Sequence, residues 1–163
     1  MVDETRLKVI KAYRFNRPLQ REVDFLFDEA GKVLNQASKT LFESPVKHRK
    51  LMEQHERISA QEKMLASIMV DRNLIGQELE AANREDEAIE LYEANVQDEF
   101  AGSHPYRRLA IIYRKRKQFD EEVRVLRQAL TTAGHTMNPN KLEWFKNRQA
   151  RALELQTKHE ERL

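Results

Sequence analysis

The chain has 163 residues, with 29 Lys and Arg against 27 Asp and Glu, no cysteine, and only four glycines and four prolines. That length allows one compact domain with a core, the missing cysteine rules out a disulfide framework, a thiolate metal site and a cysteine nucleophile, and so few Gly and Pro exclude a turn-rich β protein. No apolar run approaches the ~20 residues that cross a bilayer, and the N-terminal MVDETRLKVIKAYR lacks the apolar centre of a signal peptide, so the expectation is a soluble, cytoplasmic, all-α protein without a membrane contact.

Residues 1–70 read as an N-terminal helical region. Leu7, Ile10 and Tyr13 mark a short first helix. Pro18 can open a second through Leu19, Val23, Leu26 and Phe27, with Ala30-Gly31 a point where it can break. Val33, Leu34, Ala37, Leu41 and Phe42 carry the apolar stripe on toward Pro45. The stretch EVDFLFDE (22–29) alternates as a strand would, but its surroundings favour helix. After Pro45 a third helix is expected, able to run on past residue 70. Its Leu51, Ile58 and Leu65 lie seven apart, with His55 and Ile68 near the intermediate positions. This heptad-like seam can pack on the earlier helices or on a second subunit, and both stay open.

Residues 71–133 repeat. A shift of 34 lays EDEAIELYEANV (85–96) over FDEEVRVLRQAL (119–130) without a gap, and sets Ile75-Gly76 on Leu109-Ala110 and Leu79 on Tyr113. Each unit predicts a pair of helices. In the second, Tyr106, Leu109, Ala110 and Tyr113 recur at i, i+3, i+4 and i+7, one face of a helix. Gln118 ends that stripe, and Asp120 stands where a carboxylate can accept from free backbone N–H groups. Val123, Leu126 and Leu130 then follow at helical spacing. Asn83 marks the corresponding corner of the first unit. Charge is split between the two: residues 71–100 hold two bases against ten acids, a net of −8, and residues 101–134 hold eight bases against three acids, a net of +5. Lys115, Arg116 and Lys117 are expected in the last turn of their helix, where cations offset the exposed carbonyl ends.

The pattern resembles the tetratricopeptide repeat family: a large aromatic, then Leu and a small residue, then an aromatic, followed by Ala in the second helix. The second unit supplies Tyr106, Leu109-Ala110, Tyr113, Phe119 and Ala129, and the first supplies Ile75-Gly76, Ala88 and Tyr92. Arg72 in place of the leading aromatic, Glu122 in place of a small residue, and Pro105 depart from it. The resemblance implies an antiparallel helix-hairpin solenoid.

The register stops on both sides. One period earlier Pro45 would fall mid-helix, and one period later Asn140, Glu143 and Asn147 would fall on core positions. Residues 134–163 therefore read as a linker and a C-terminal capping helix begun near Asn138 or Pro139, with Leu142, Phe145, Ala152 and Leu155 facing the second unit. Trp144 can anchor that cap or belong to a partner site.

The sequence contains no GxSxG, no HExxH and no glycine-rich phosphate loop, and His48 and His55 lack the spacing of a zinc pair. No catalytic residue, metal or cofactor is assigned, and a non-enzymatic role is expected. The family resemblance implies an interaction module whose groove, lined by the first helix of each repeat, holds a peptide or protein segment. It would receive Asn73, Gln77 and Glu80 from the first unit and His104, Arg107, Ile111 and Arg114 from the second. Two alternatives are kept. The basic patch of Arg107, Arg108, Arg114, Lys115 and Arg116 could bind nucleic acid or an acidic protein. Acidic and basic repeats could also pair between subunits as a homo-oligomer.

Overall fold

The computed structural model describes residues 1–13 and 16–161. The fold is all-α: α1 (Glu4–Ala12), α2 (Leu19–Thr40), α3 (Pro45–Ala81), α4 (Glu85–Gln97), α5 (His104–Lys115), α6 (Phe119–Thr132) and α7 (Pro139–Glu160), with a 3-10 turn at Gly134–Thr136. No strand occurs among the described residues, and none of their helices is long and apolar enough to cross a membrane. The chain forms two compact units, Arg14–Val70 and Met1–Tyr13 with Asp71–Leu163. Residues 45–70 of α3 belong to the first and residues 71–81 to the second.

In the unit of residues 14–70, α2 runs unbroken through Ala30-Gly31. EVDFLFDE is helical, and its alternation leaves Phe25 and Phe27 in solvent at 50% and 69% exposure. The buried residues of α2 are Leu19, Val23, Leu26, Ala30, Val33, Ala37 and Thr40, together with Glu22, which pairs with Arg17. Apart from Glu22 they alternate in steps of four and three, a heptad seam. Two histidines of α3 fix the register against it. His48 Nδ1 lies 2.8 Å from the Ala37 carbonyl oxygen and His55 Nδ1 lies 3.0 Å from that of Ala30. A carbonyl only accepts, so each ring donates through Nδ1–H. Alanine at both positions leaves room for a ring to reach the backbone.

In the second unit the helix boundaries recur at 34 residues. Ala81 ends α3 as Lys115 ends α5, and Glu85 opens α4 as Phe119 opens α6. The corners repeat as well. Asn83 and Lys117 take left-handed φ values of 59° and 58°, a conformation that costs a side chain about 1 kcal/mol and that Asn tolerates best. In the first corner the Asn83 and Arg84 amides donate to Glu80 and Leu79; in the second, Lys117 and Gln118 donate to Arg114 and Tyr113. These bonds satisfy the carbonyls that each helix end leaves free. Lys117 thus sits beyond its helix, not in the last turn. Ile75, Leu79, Leu91, Tyr92 and Val96 form the core of one hairpin, and Tyr106, Leu109, Ala110, Tyr113, Val123, Val125 and Leu126 that of the next.

Both ends of this unit are closed. Asp3 caps α1 by accepting from the Arg6 amide at 2.9 Å, and Leu7 and Ile10 are buried. Arg6 pairs with Asp71, Lys11 reaches Glu87 and Glu90, and Arg84 spans Glu4 and Glu87. Hydrogen bonds from Arg84 and then Lys11 hold the Glu87 carboxyl down at about 2. At the other end Asn138 accepts from the Lys141 amide and opens α7, which packs on α6. Phe145 and Ala152 are fully buried there, with Leu142 and Leu155 half-buried. Asp120 differs from the capping role expected of it. No side chain caps α6, because Asp120 lies inside the first turn, and its Oδ1 accepts from Gln156 Nε2 of α7 at 2.8 Å.

Gly76 illustrates how the two repeats are packed differently. A Cβ there would lie 2.5 Å from Cε1 of Tyr92, whereas the second repeat carries Ala110 at the equivalent of Gly76 and the smaller Leu126 at the equivalent of Tyr92. Gly76→Ala should therefore destabilise by about 1–3 kcal/mol through overpacking, in spite of the ~1 kcal/mol that alanine gains in a helix interior. Adding Tyr92→Leu should recover most of the loss in urea unfolding. A Gly76→Ala variant more stable than wild type would contradict this packing.

Candidate partner-binding groove

One face of the second unit carries the end of α3 and α5. Between them lies an open groove of about 960 Å³, lined by Gln77, Glu80 and Ala81 of α3 and by His104, Arg107, Arg108, Ile111 and Ile112 of α5, with Asn83, Glu85 and Lys115 at one end. Five of the residues expected from the sequence, namely Gln77, Glu80, His104, Arg107 and Ile111, meet here. Asn73 and Arg114 do not line it. Asn73 is buried and accepts from Asn95 Nδ2 at 3.0 Å, and Arg114 Nε donates to Glu122 at 2.5 Å.

The polar groups of the groove hold one another. Glu80 accepts from the Tyr92 hydroxyl at 2.7 Å and pairs with both nitrogens that Arg108 presents. Burial first, and then the Glu80 hydrogen bond, push the Tyr92 hydroxyl well above its ordinary range, so it remains a donor. Gln77 Nε2 lies 3.0 Å from His104 Nε2, which assigns Gln77 as donor and the ring nitrogen as acceptor. The ring also meets Tyr92 edge-on at 5.8 Å. Burial, followed by the charges of Arg108 and Arg107 and against the pull of Glu80, lowers the His104 pKa below its ordinary 6.5.

A lowered folded value means that the neutral ring is the form that folds. Its contribution is complete above the unfolded pKa and is lost as pH falls through the folded value. Thermal melts taken from pH 7.5 downward should decline less steeply for His104→Gln than for wild type; parallel curves would refute the assignment.

The basic run of α5 is largely committed. Lys115 reaches Glu85 at 3.1 Å, and Arg116 reaches Glu85 at 2.9 Å and Asp86 at 2.6 Å. Together with Arg108–Glu80 and Arg114–Glu122, these bonds join the acidic residues 71–100 and Glu122 to four of the five basic-patch residues. Arg107 is the exception. No carboxylate among the described residues pairs with it, and its guanidinium lies 5.3 Å over the Trp144 ring, which Arg148 approaches at 5.7 Å. A second depression of about 230 Å³, bordered by Arg107, Asn138, Asn140, Lys141 and Trp144, adjoins it. Asn140 and Lys141 carry no periodic signal that could have marked them. Among the described residues no group of three His, Asp or Glu is placed to hold a metal ion.

Comparison with known proteins returned no match, whether to a family model, a curated protein or a solved structure.

Proposed function

We propose that this chain is a non-enzymatic interaction module, and that the groove between the end of α3 and α5 holds a peptide or protein segment. The single observation that carries the reading is Arg107, an exposed cation with no carboxylate partner among the described residues, standing at the rim of a groove of about 960 Å³ beside Ile111. A charge left unneutralised next to an apolar side chain suits a segment that carries an acidic residue close to an apolar one. The 34-residue recurrence of hairpins supports the tetratricopeptide-like reading of the groove. The cysteine-free composition fits a reducing, cytoplasmic setting. Polyanion binding is the weaker reading, because Arg108, Arg114, Lys115 and Arg116 would each have to leave an ion pair first.

The test is a fluorescence-polarisation screen of acidic–apolar peptides against the full chain, repeated with Arg107→Glu and with Ile111→Asp. Selected peptides should bind each variant about tenfold more weakly or worse, a loss near 1.4 kcal/mol. Peptides that bind both variants as they bind wild type would sink the groove reading. Retention of the chain on single-stranded nucleic acid with steep salt dependence would favour the polyanion reading instead.

A further inference from the structure

The hairpin of α2 and the first part of α3 leaves an apolar face unburied. Phe27, Leu34 and Leu41 stand seven residues apart, beside the buried seam, at 69%, 41% and 46% exposure, and the adjoining Phe42 is 94% exposed. Gly31 and Ser38 lie between them on the same stripe, and a side chain added at Gly31 would meet nothing within 4 Å. The two histidine bonds set the register: residues whose numbers sum to 85 face each other across the hairpin. That register brings Leu51 level with Leu34 and Ile58 level with Phe27, and the adjoining Met52 and Ser59 are only half-buried. Leu51 and Ile58, within the seam itself, are half-buried too. Two helices alone cannot enclose so wide an apolar arc, whereas four can.

Charge says which partner fits. Residues 18–31 carry one base against four acids, a net of −3, whereas residues 32–50 carry five bases against one acid, a net of +4. The returning segment, residues 51–70, has a net of −1. The turn end of the hairpin is therefore basic and its open end acidic. A second hairpin laid antiparallel sets each acidic end on a basic one, twice over. The same arrangement, turned about Leu34, places Phe27 of each copy opposite Leu41 of the other. Small residues at 31 and 38 allow the backbones to approach. We propose that this face binds a second copy of the chain, forming an antiparallel four-helix bundle from two α2–α3 hairpins. Only residues of the other unit take part, so this interface is independent of the groove reading.

Light-scattering mass of the full chain should rise from the 19.3 kDa of one chain toward twice that value as concentration increases from about 1 to about 100 μM, the range in which modest interfaces assemble. Leu34→Asp should raise the dissociation constant about a hundredfold while leaving the helical circular dichroism unchanged, because Leu34 is exposed in the single chain. A charge-swap pair guards against a variant that misfolds. The hairpin of Asp24→Lys with Asp28→Lys, whose open end goes from −3 to +1, and the hairpin of Lys39→Glu, Lys47→Glu and Lys50→Glu, whose turn end goes from +4 to −2, should each associate poorly alone and combine on mixing. A mass of one chain throughout would overturn the proposal. So would a dimer untouched by Leu34→Asp, or a monomer whose stripe instead takes up anionic lipid vesicles.

Discussion

Glu122→Ala should lower the free energy of urea unfolding by about 3 kcal/mol. Glu122 is fully buried, yet its repeat equivalent is Ala88, which is also fully buried, so alanine is sterically acceptable at this position. What alanine removes is the carboxylate between two guanidinium groups. Glu122 Oε2 accepts from Arg114 Nε at 2.5 Å and Oε1 from Arg148 Nε at 2.7 Å, joining α5, α6 and α7. Each arginine side chain is only 23% exposed, and Arg114 Nη2 is already buried without a partner. Without Glu122 two cations face each other with little access to water, and that uncompensated charge dominates the loss.

Glu122→Gln, which keeps the shape and one acceptor, should fall between wild type and alanine. The triple variant Glu122→Ala, Arg114→Met, Arg148→Met should regain most of the stability, since a buried ion cluster exchanged for apolar groups is often neutral. A single Glu122→Ala variant within ~0.5 kcal/mol of wild type, the range of ordinary surface changes, would show that the cluster does not hold α7 in place.

Arg72→Met is expected to cost about 2–4 kcal/mol, by the same logic in the first repeat. Arg72 is 1% exposed and occupies the position that Tyr106 fills one period later. Its Nη1 reaches Asp98 at 2.5 Å and Asn95 Oδ1 at 3.3 Å, and Asn95 in turn donates to Asn73 at 3.0 Å. Methionine matches the stem of the arginine but leaves the Asp98 carboxylate and a fully buried Asn95 without the guanidinium. Because Asp98 retains 17% exposure, water can take over part of its solvation, which sets the lower end of the range. Arg72→Met with Asp98→Ala should recover more than half of the loss. Additive losses in that double variant would rule out the pairing as the cause.

These two positions mark where local reading reached its limit. Arg72 and Glu122 both break the apolar pattern, and read singly each looks like a departure from a repeat. Each is buried because its charge is met by a residue on another element: Asp98 after α4, and Arg114 and Arg148 on α5 and α7. The sequence contains those partners, but their separations of 26, 8 and 26 residues have no local signature. The same holds for the basic run of α5. Its cations stand at the end of a helix, where they offset exposed carbonyls, but what neutralises Lys115 and Arg116 is Glu85 and Asp86 about 30 residues earlier. Asn73 and Arg114, expected in the groove, lie on its two helices but do not line it, since position along a helix does not say which side its neighbours will cover.

The sequence by itself determined the helical class, the corner at Asn83, the start of α7 at Asn138-Pro139 and the apolar stripes, because helical period, glycine and proline content and capping residues act within a few turns of chain. Tertiary structure alone decided which side of a stripe is buried. On α2 the apolar residues span more of the helix than one neighbour can cover: Leu26 and Val33 go into the seam and Phe27 and Leu34 into solvent. Adjacent residues sit about 100° apart around the axis, so that choice belongs to the histidine-fixed register of α3, and pairing across space is a property that no run of neighbouring residues encodes.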